Sequence, residues 1–139
     1  MSENAVADHD AIQRTRDSLG RCVKCETFLQ RFYEIFMAAS PKVAEYFRDT
    51  DFERQRGVLR DSLYVMLVAA GTSKGPAHAE LERLAKLHHK MGLSREMYTI
   101  WLDSLIEAAR EHDTHFSDEL ERDWRASMAG PIELMTSEA

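Results

Sequence analysis

Apolar residues in this chain recur at steps of three and four, the period of a helix, and no segment shows the two-residue alternation of a half-buried strand. Asp8 or Asp10 can cap a first helix marked by Ile12, Thr15 and Leu19, which Gly20 is expected to end. Residues 22–39 then carry Leu29, Phe32, Tyr33, Phe36 and Met37 on a broad apolar stripe. That stripe closes at Ser40-Pro41, because a proline ring disfavours helix in the residue before it. Residues 41–47 read as a short helix and 49–51 as a turn. A long helix follows over 52–70, with Phe52, Gln55, Leu59, Leu63, Met66 and Ala70 along one side. After the break at 71–76, Leu81, Leu84 and His88 define the next face, and Gly92 ends it. Ser94 can cap a helix bearing Met97, Ile100, Trp101, Leu105 and Ala108. A last helix follows Ser117, with Leu120, Trp124, Met128, Ile132 and Met135, and a bend is expected before Pro131.

Composition supports the same class. Ala and Leu number 29 against 11 Val and Ile, so the β-branched residues that suit pleated sheets are scarce. The chain is therefore expected to be all-α. Its 139 residues make one domain, with flexible ends expected at about 1–8 and 136–139. The net charge of −6 offers no basic field for nucleic acid or an anionic membrane. No segment has the roughly 20 apolar residues of a membrane span, and no leader pattern opens the chain, so a cytoplasmic location is expected. Cys22 and Cys25 form a lone CxxC without a second ligand pair, a pattern that reads more simply as two small side chains near a helix start.

Polar residues on apolar stripes are the informative ones, since burying a polar group is costly unless it finds a partner. Steps of four and seven back from His88 reach Leu84 and Leu81, so His88 faces inward, while its neighbour His89 faces water. Gln55 shares the side of Leu59 and Leu63, and Tyr33 lies one turn after Leu29. Each alone reads as a hydrogen-bonded core residue. Together, entering from three helices, they could surround a cofactor with a metal centre. His9 and His78 read as loop or poorly ordered sequence. The segment HDTH, with His112 and His115, reads as a polar connection without metal-site spacing.

Two stretches resemble the globin family, in particular the short single-domain haemoglobins of bacteria and the globin modules of bacterial sensors. The likeness runs from about Ile12 to Met135. FYEIFMAASPKVAEYF, residues 32–47, is similar to the family's second helix, the proline at the following corner and the phenylalanine that packs flat against haem, here Phe47. LAKLHHKMGLSREMYTIWLDSL, residues 84–105, is similar to the stretch holding the iron-binding histidine, a glycine and a tyrosine, here His88, Gly92 and Tyr98. Trp124, Pro131, Ile132 and Met135 match the closing helix.

The resemblance implies a globin fold enclosing haem b, with His88 as the metal ligand. It implies Tyr33 and Gln55 on the distal side, where dioxygen, nitric oxide or carbon monoxide binds. Phe47, Leu59, Leu63, Leu93, Tyr98 and Trp101 would line the cofactor. The short turn before Gln55 leaves Arg54 and Arg56 as alternatives for the distal position. The family's nitric oxide dioxygenation is implied as a further activity. With no room in 139 residues for a reductase domain, it is expected to need an external reductant. Two other readings stay open: a stand-alone sensor that pairs with a second copy through its last two helices, and a haem-free interaction module in which His88, Gln55 and Tyr33 satisfy one another.

Overall fold

The computed structural model describes residues 6–137, in which seven helices occur and no strand. They are α1 (His9–Val23), α2 (Thr27–Ala39), α3 (Pro41–Tyr46), α4 (Phe52–Ala70), α5 (Pro76–Lys90), α6 (Arg95–His112) and α7 (Asp118–Thr136). Of the ends expected to be flexible, residues 1–5 and 138–139 lie outside the described residues. Within them, the Ala7 N–H donates to the Ala70 carbonyl, and Thr136 closes α7.

The helix starts follow their local chemistry. Asp8, Asp51, Ser94 and Ser117 accept the backbone N–H groups of Ala11, Arg54, Met97 and Leu120. Each bond satisfies a donor that the first turn of a helix leaves unpaired. Pro41 and Pro76 open α3 and α5, where the missing N–H costs nothing.

Several expectations are corrected. Gly20 does not end the first helix: α1 continues to Val23, because Leu19 and Cys22 are both fully buried and their packing outweighs the roughly 1 kcal/mol cost of an interior glycine. The second helix therefore starts at Thr27 rather than residue 22, and the cysteines lie at a helix end. His9 and His78 belong to the first turns of α1 and α5 rather than to loops. His112 is the last residue of α6, its Nδ1 bonded to the Ala108 carbonyl and its Nε2 to the Thr27 hydroxyl. At Pro131, which is buried, α7 continues to Thr136.

α7 packs against α1, α4, α5 and α6, while α2 packs against α6 and α3, and α4 meets α5. Trp124, Phe28, Phe32, Leu63, Leu81, Leu105 and Met128 are buried at the centre. A polar network ties three elements together inside this core. Trp124 Nε1 donates to Ser18 Oγ at 3.0 Å, and Ser18 donates to Asp113 at 2.6 Å. Arg21 grips the same carboxylate with two bonds of 2.6 and 3.0 Å. Asp113 is 0% exposed at its side chain and Arg21 35%, so the pair is only half solvated. Burial alone drives the Asp113 carboxyl upward, but the bonds from Arg21, Ser18 and the His115 N–H outweigh it and hold the carboxyl below its ordinary range.

A carboxyl depressed in the folded state stabilises the fold above its unfolded value of about 3.9, and that contribution is lost as pH falls through the folded value. Asp113→Ala is expected to lose about 3 kcal/mol in urea unfolding at pH 7, the low end for breaking a buried pair because Arg21 keeps some water. Asp113→Asn should flatten the acid limb of the stability profile, and an acid limb identical to that of the unaltered chain would contradict this account.

Candidate functional site

The first polar pair comes from α2 and α4. Tyr33 lies on the buried face of α2, one turn beyond Leu29. Gln55 is in the first turn of α4, whose start is fixed by the Asp51 cap, and it is half-buried. Its Nε2 donates to the Tyr33 oxygen at 3.1 Å. Because the phenol oxygen receives the amide proton, its own O–H is left to donate elsewhere, and no acceptor for it occurs among the described residues. Burial pushes the Tyr33 phenol up to about 12, against smaller opposing effects of the Gln55 bond and the Arg56 charge, so it is a neutral donor at pH 7.

Aromatic rings enclose this pair. Phe47 and Phe52 stand edge-on to Tyr33, each with its centroid at 5.3 Å, and Phe32 lies at 4.9 Å. Leu59 and Leu63 continue the wall along α4 and are buried. Arg54 is exposed and Arg56 half-buried, and neither hydrogen-bonds Tyr33 among the described residues. Of the three residues open for the distal position, the structure brings Gln55 to the tyrosine.

The second pair comes from α5 and α6. Leu81 is buried, Leu84 and His88 are half-buried, and His89 is exposed, as the helical phase requires. α5 stops two residues after His88 in a defined way. Gly92 takes φ +81°, its N–H donates to the His89 carbonyl at 3.0 Å, and the Leu93 N–H returns to the His88 carbonyl at 3.2 Å. This is the Schellman closure, which needs a residue at ease in the left-handed region. α6 then starts at the Ser94 cap, which puts Tyr98 in its first turn.

His88 Nδ1 and the Tyr98 hydroxyl are 3.0 Å apart and hydrogen-bonded. His88 Nε2 has no protein partner among the described residues. When Nδ1–H donates to Tyr98, the lone pair of Nε2 is free, which is the state a metal ligand needs. Burial lowers the His88 pKa, favouring the neutral ring, and raises that of Tyr98. No group of three or more His, Cys, Asp and Glu side chains suited to a metal ion occurs among the described residues. A metal on His88 would therefore take its other ligands from a cofactor, and the donor set fits an iron already held in a macrocycle.

The structure thus divides the three singled-out polar residues. Gln55 hydrogen-bonds Tyr33 and leaves the phenol proton unused, while His88 pairs with Tyr98 and not with them. Trp101 links α6 to α2 through Phe32, with centroids 6.2 Å apart, and Leu93 is half-buried in the turn after His88. The CxxC holds nothing comparable: both thiols are free, and burial raises Cys22 to about 12, which makes it unreactive. One contact has no periodic signal in the sequence. Tyr46, next to Phe47, donates its O–H to the Met91 carbonyl at 2.9 Å.

Among the described residues no helix is long and apolar enough to cross a membrane. No family model matches the chain, and no curated protein matches it. Among solved structures the chain is similar to a protein of Pseudomonas aeruginosa PAO1 whose crystal structure is described as structurally highly homologous to a human hemoglobin. The two are 31% identical with a TM-score of 0.86, over 92% of this chain and 97% of that one.

Ring-proton NMR of the haem-free chain is expected to give His88 a titration midpoint below the roughly 6.5 of a free imidazole, since desolvation disfavours the charged ring. A midpoint at or above that value would show that the ring is not buried as described.

Proposed function

The chain belongs to the globin family, and on that premise we propose that it holds haem b through His88 and reversibly binds dioxygen beside Tyr33 and Gln55. What carries the reading is the pattern of two hydrogen bonds, each of which uses one atom of its pair and leaves free the atom this chemistry requires. The His88–Tyr98 bond leaves Nε2, and the Gln55–Tyr33 bond leaves the phenol proton. The family relationship and the Pseudomonas structure support the reading.

When bound, haem would be held through His88 and would supply an iron able to bind a diatomic gas. Tyr98 orients the imidazole through its bond to Nδ1, and with Nε2 given to a metal it is Nδ1–H that donates to the phenol. Phe47, Leu59, Leu63, Leu93, Tyr98 and Trp101 would offer the apolar walls that keep water from the cofactor. On the distal side the Tyr33 O–H donates to a ligand that carries partial negative charge. Gln55 holds the phenol in place and, by donating to its oxygen, makes it a stronger donor. The aromatic rings around the pair exclude competing water, so each bond counts for more than it would in solvent.

Such a donor favours dioxygen over the less polarised carbon monoxide and slows oxygen release. This suits retention, sensing or oxygen chemistry better than bulk delivery. Nitric oxide dioxygenation would draw on the same two residues and on an external reductant.

Tyr33→Phe keeps the ring and removes the proton. In the haem-loaded chain, stopped-flow measurement should show oxygen dissociating about tenfold faster, the equivalent of one hydrogen bond of about 1.4 kcal/mol. Carbon monoxide dissociation should change far less. Equal changes for the two gases, or none for oxygen, would remove Tyr33 from the proposed role.

A further inference from the structure

α3 ends at a junction between the two polar pairs. Phe47, the residue that caps α3, is held there by its N–H, which donates to the Val43 and Ala44 carbonyls at 3.3 Å each, and its ring packs on Tyr33 and Phe52. Tyr46, immediately before it, meets the turn that ends the His88 helix. Met91 is the cap residue of α5, and its carbonyl lies past the last helical donor. The Tyr46 hydroxyl supplies the missing partner at 2.9 Å, across 45 residues of chain. The two groups are also packed together: a Cβ added to Gly92 would sit 3.6 Å from the Tyr46 oxygen.

The contact therefore couples two rigid pieces. On one side are α3 and Phe47, which lean on the Tyr33 and Gln55 pair. On the other is the Schellman turn, whose Leu93 N–H binds the carbonyl of His88 itself. Separating the Phe47 side from the His88 side at this edge requires the Tyr46 bond to break. Tyr46 is 38% exposed, so water can replace its partner, and the bond can open without unfolding the core.

Resting on the proposed function, we propose that Tyr46 is a surface latch that fastens the Phe47 wall to the turn behind His88, and so limits how fast haem leaves. It is a positioning residue: it acts through the turn and through Phe47, and takes no part in ligand binding on the distal side.

Tyr46→Phe tests this with two readouts. In the haem-loaded chain, transfer of haem to an excess of apomyoglobin should run about fivefold faster, the effect of losing one solvent-accessible hydrogen bond. Oxygen dissociation should stay within about twofold of the unaltered chain, because Tyr33 and Gln55 are untouched. In the haem-free chain, amide hydrogen exchange at Gly92 and Leu93 should quicken, since both N–H groups belong to the turn that Tyr46 fastens. Unchanged haem transfer overturns the latch, and so does unchanged exchange at those two amides. A chain that takes up no haem would defeat the proposed function, while the exchange measurement would still decide whether Tyr46 holds the turn.

Discussion

The arrangement of this molecule depends on how one helix is stopped. α5 must deliver His88 inward and then reverse within a few residues so that α6 can bring Tyr98 back to it. Gly92 makes this possible by taking a left-handed φ that most residues resist. The Schellman closure then fixes the backbone carbonyl of His88, and the Ser94 cap sets the phase of α6 so that the Tyr98 hydroxyl meets Nδ1. Backbone geometry at three successive features therefore decides which imidazole nitrogen is left free.

The opposite pair is held by a different logic. Tyr33 and Gln55 are polar groups on apolar faces, and the energetic demand of burial is met when the amide donates to the phenol. That solution is incomplete by one proton, which is the property a distal donor needs. Had Gln55 instead accepted from the phenol, the pair would have been closed to a ligand. The pair thus settles the amide of Gln55 against Tyr33 and keeps one phenol donor available.

Much of this was legible in the sequence because helical phase carries it. The steps from His88 to Leu84 and Leu81 separate it from the exposed His89, and the same counting places Gln55 with Leu59 and Leu63. Pro41, Gly92 and the Ser and Asp caps mark boundaries by local chemistry. Gly20 misled because a glycine stops a helix only when nothing buried lies beyond it, and Cys22 does. Contacts between distant segments were beyond reach. Asp113 lies in what reads as a polar connection, yet Ser18, Arg21 and, through Ser18, Trp124 converge on it. Tyr46 sits on a helix of six residues, too short for a periodic stripe, and its partner is a backbone carbonyl that no residue type announces. The pairing of His88 with Tyr98 needed the turn between them to be known in three dimensions.

On the proposed function, His88 carries the iron of a bound haem. Titration of haemin into the haem-free chain, followed by absorption spectroscopy, tests it most directly when repeated with His88→Gly in the absence and presence of free imidazole. The expected result is saturation at one haem per chain with a histidine-ligated spectrum, its loss in His88→Gly, and its return when imidazole fills the vacated space. A spectrum that the substitution leaves unaltered, or the absence of saturable binding by the unaltered chain, would contradict it.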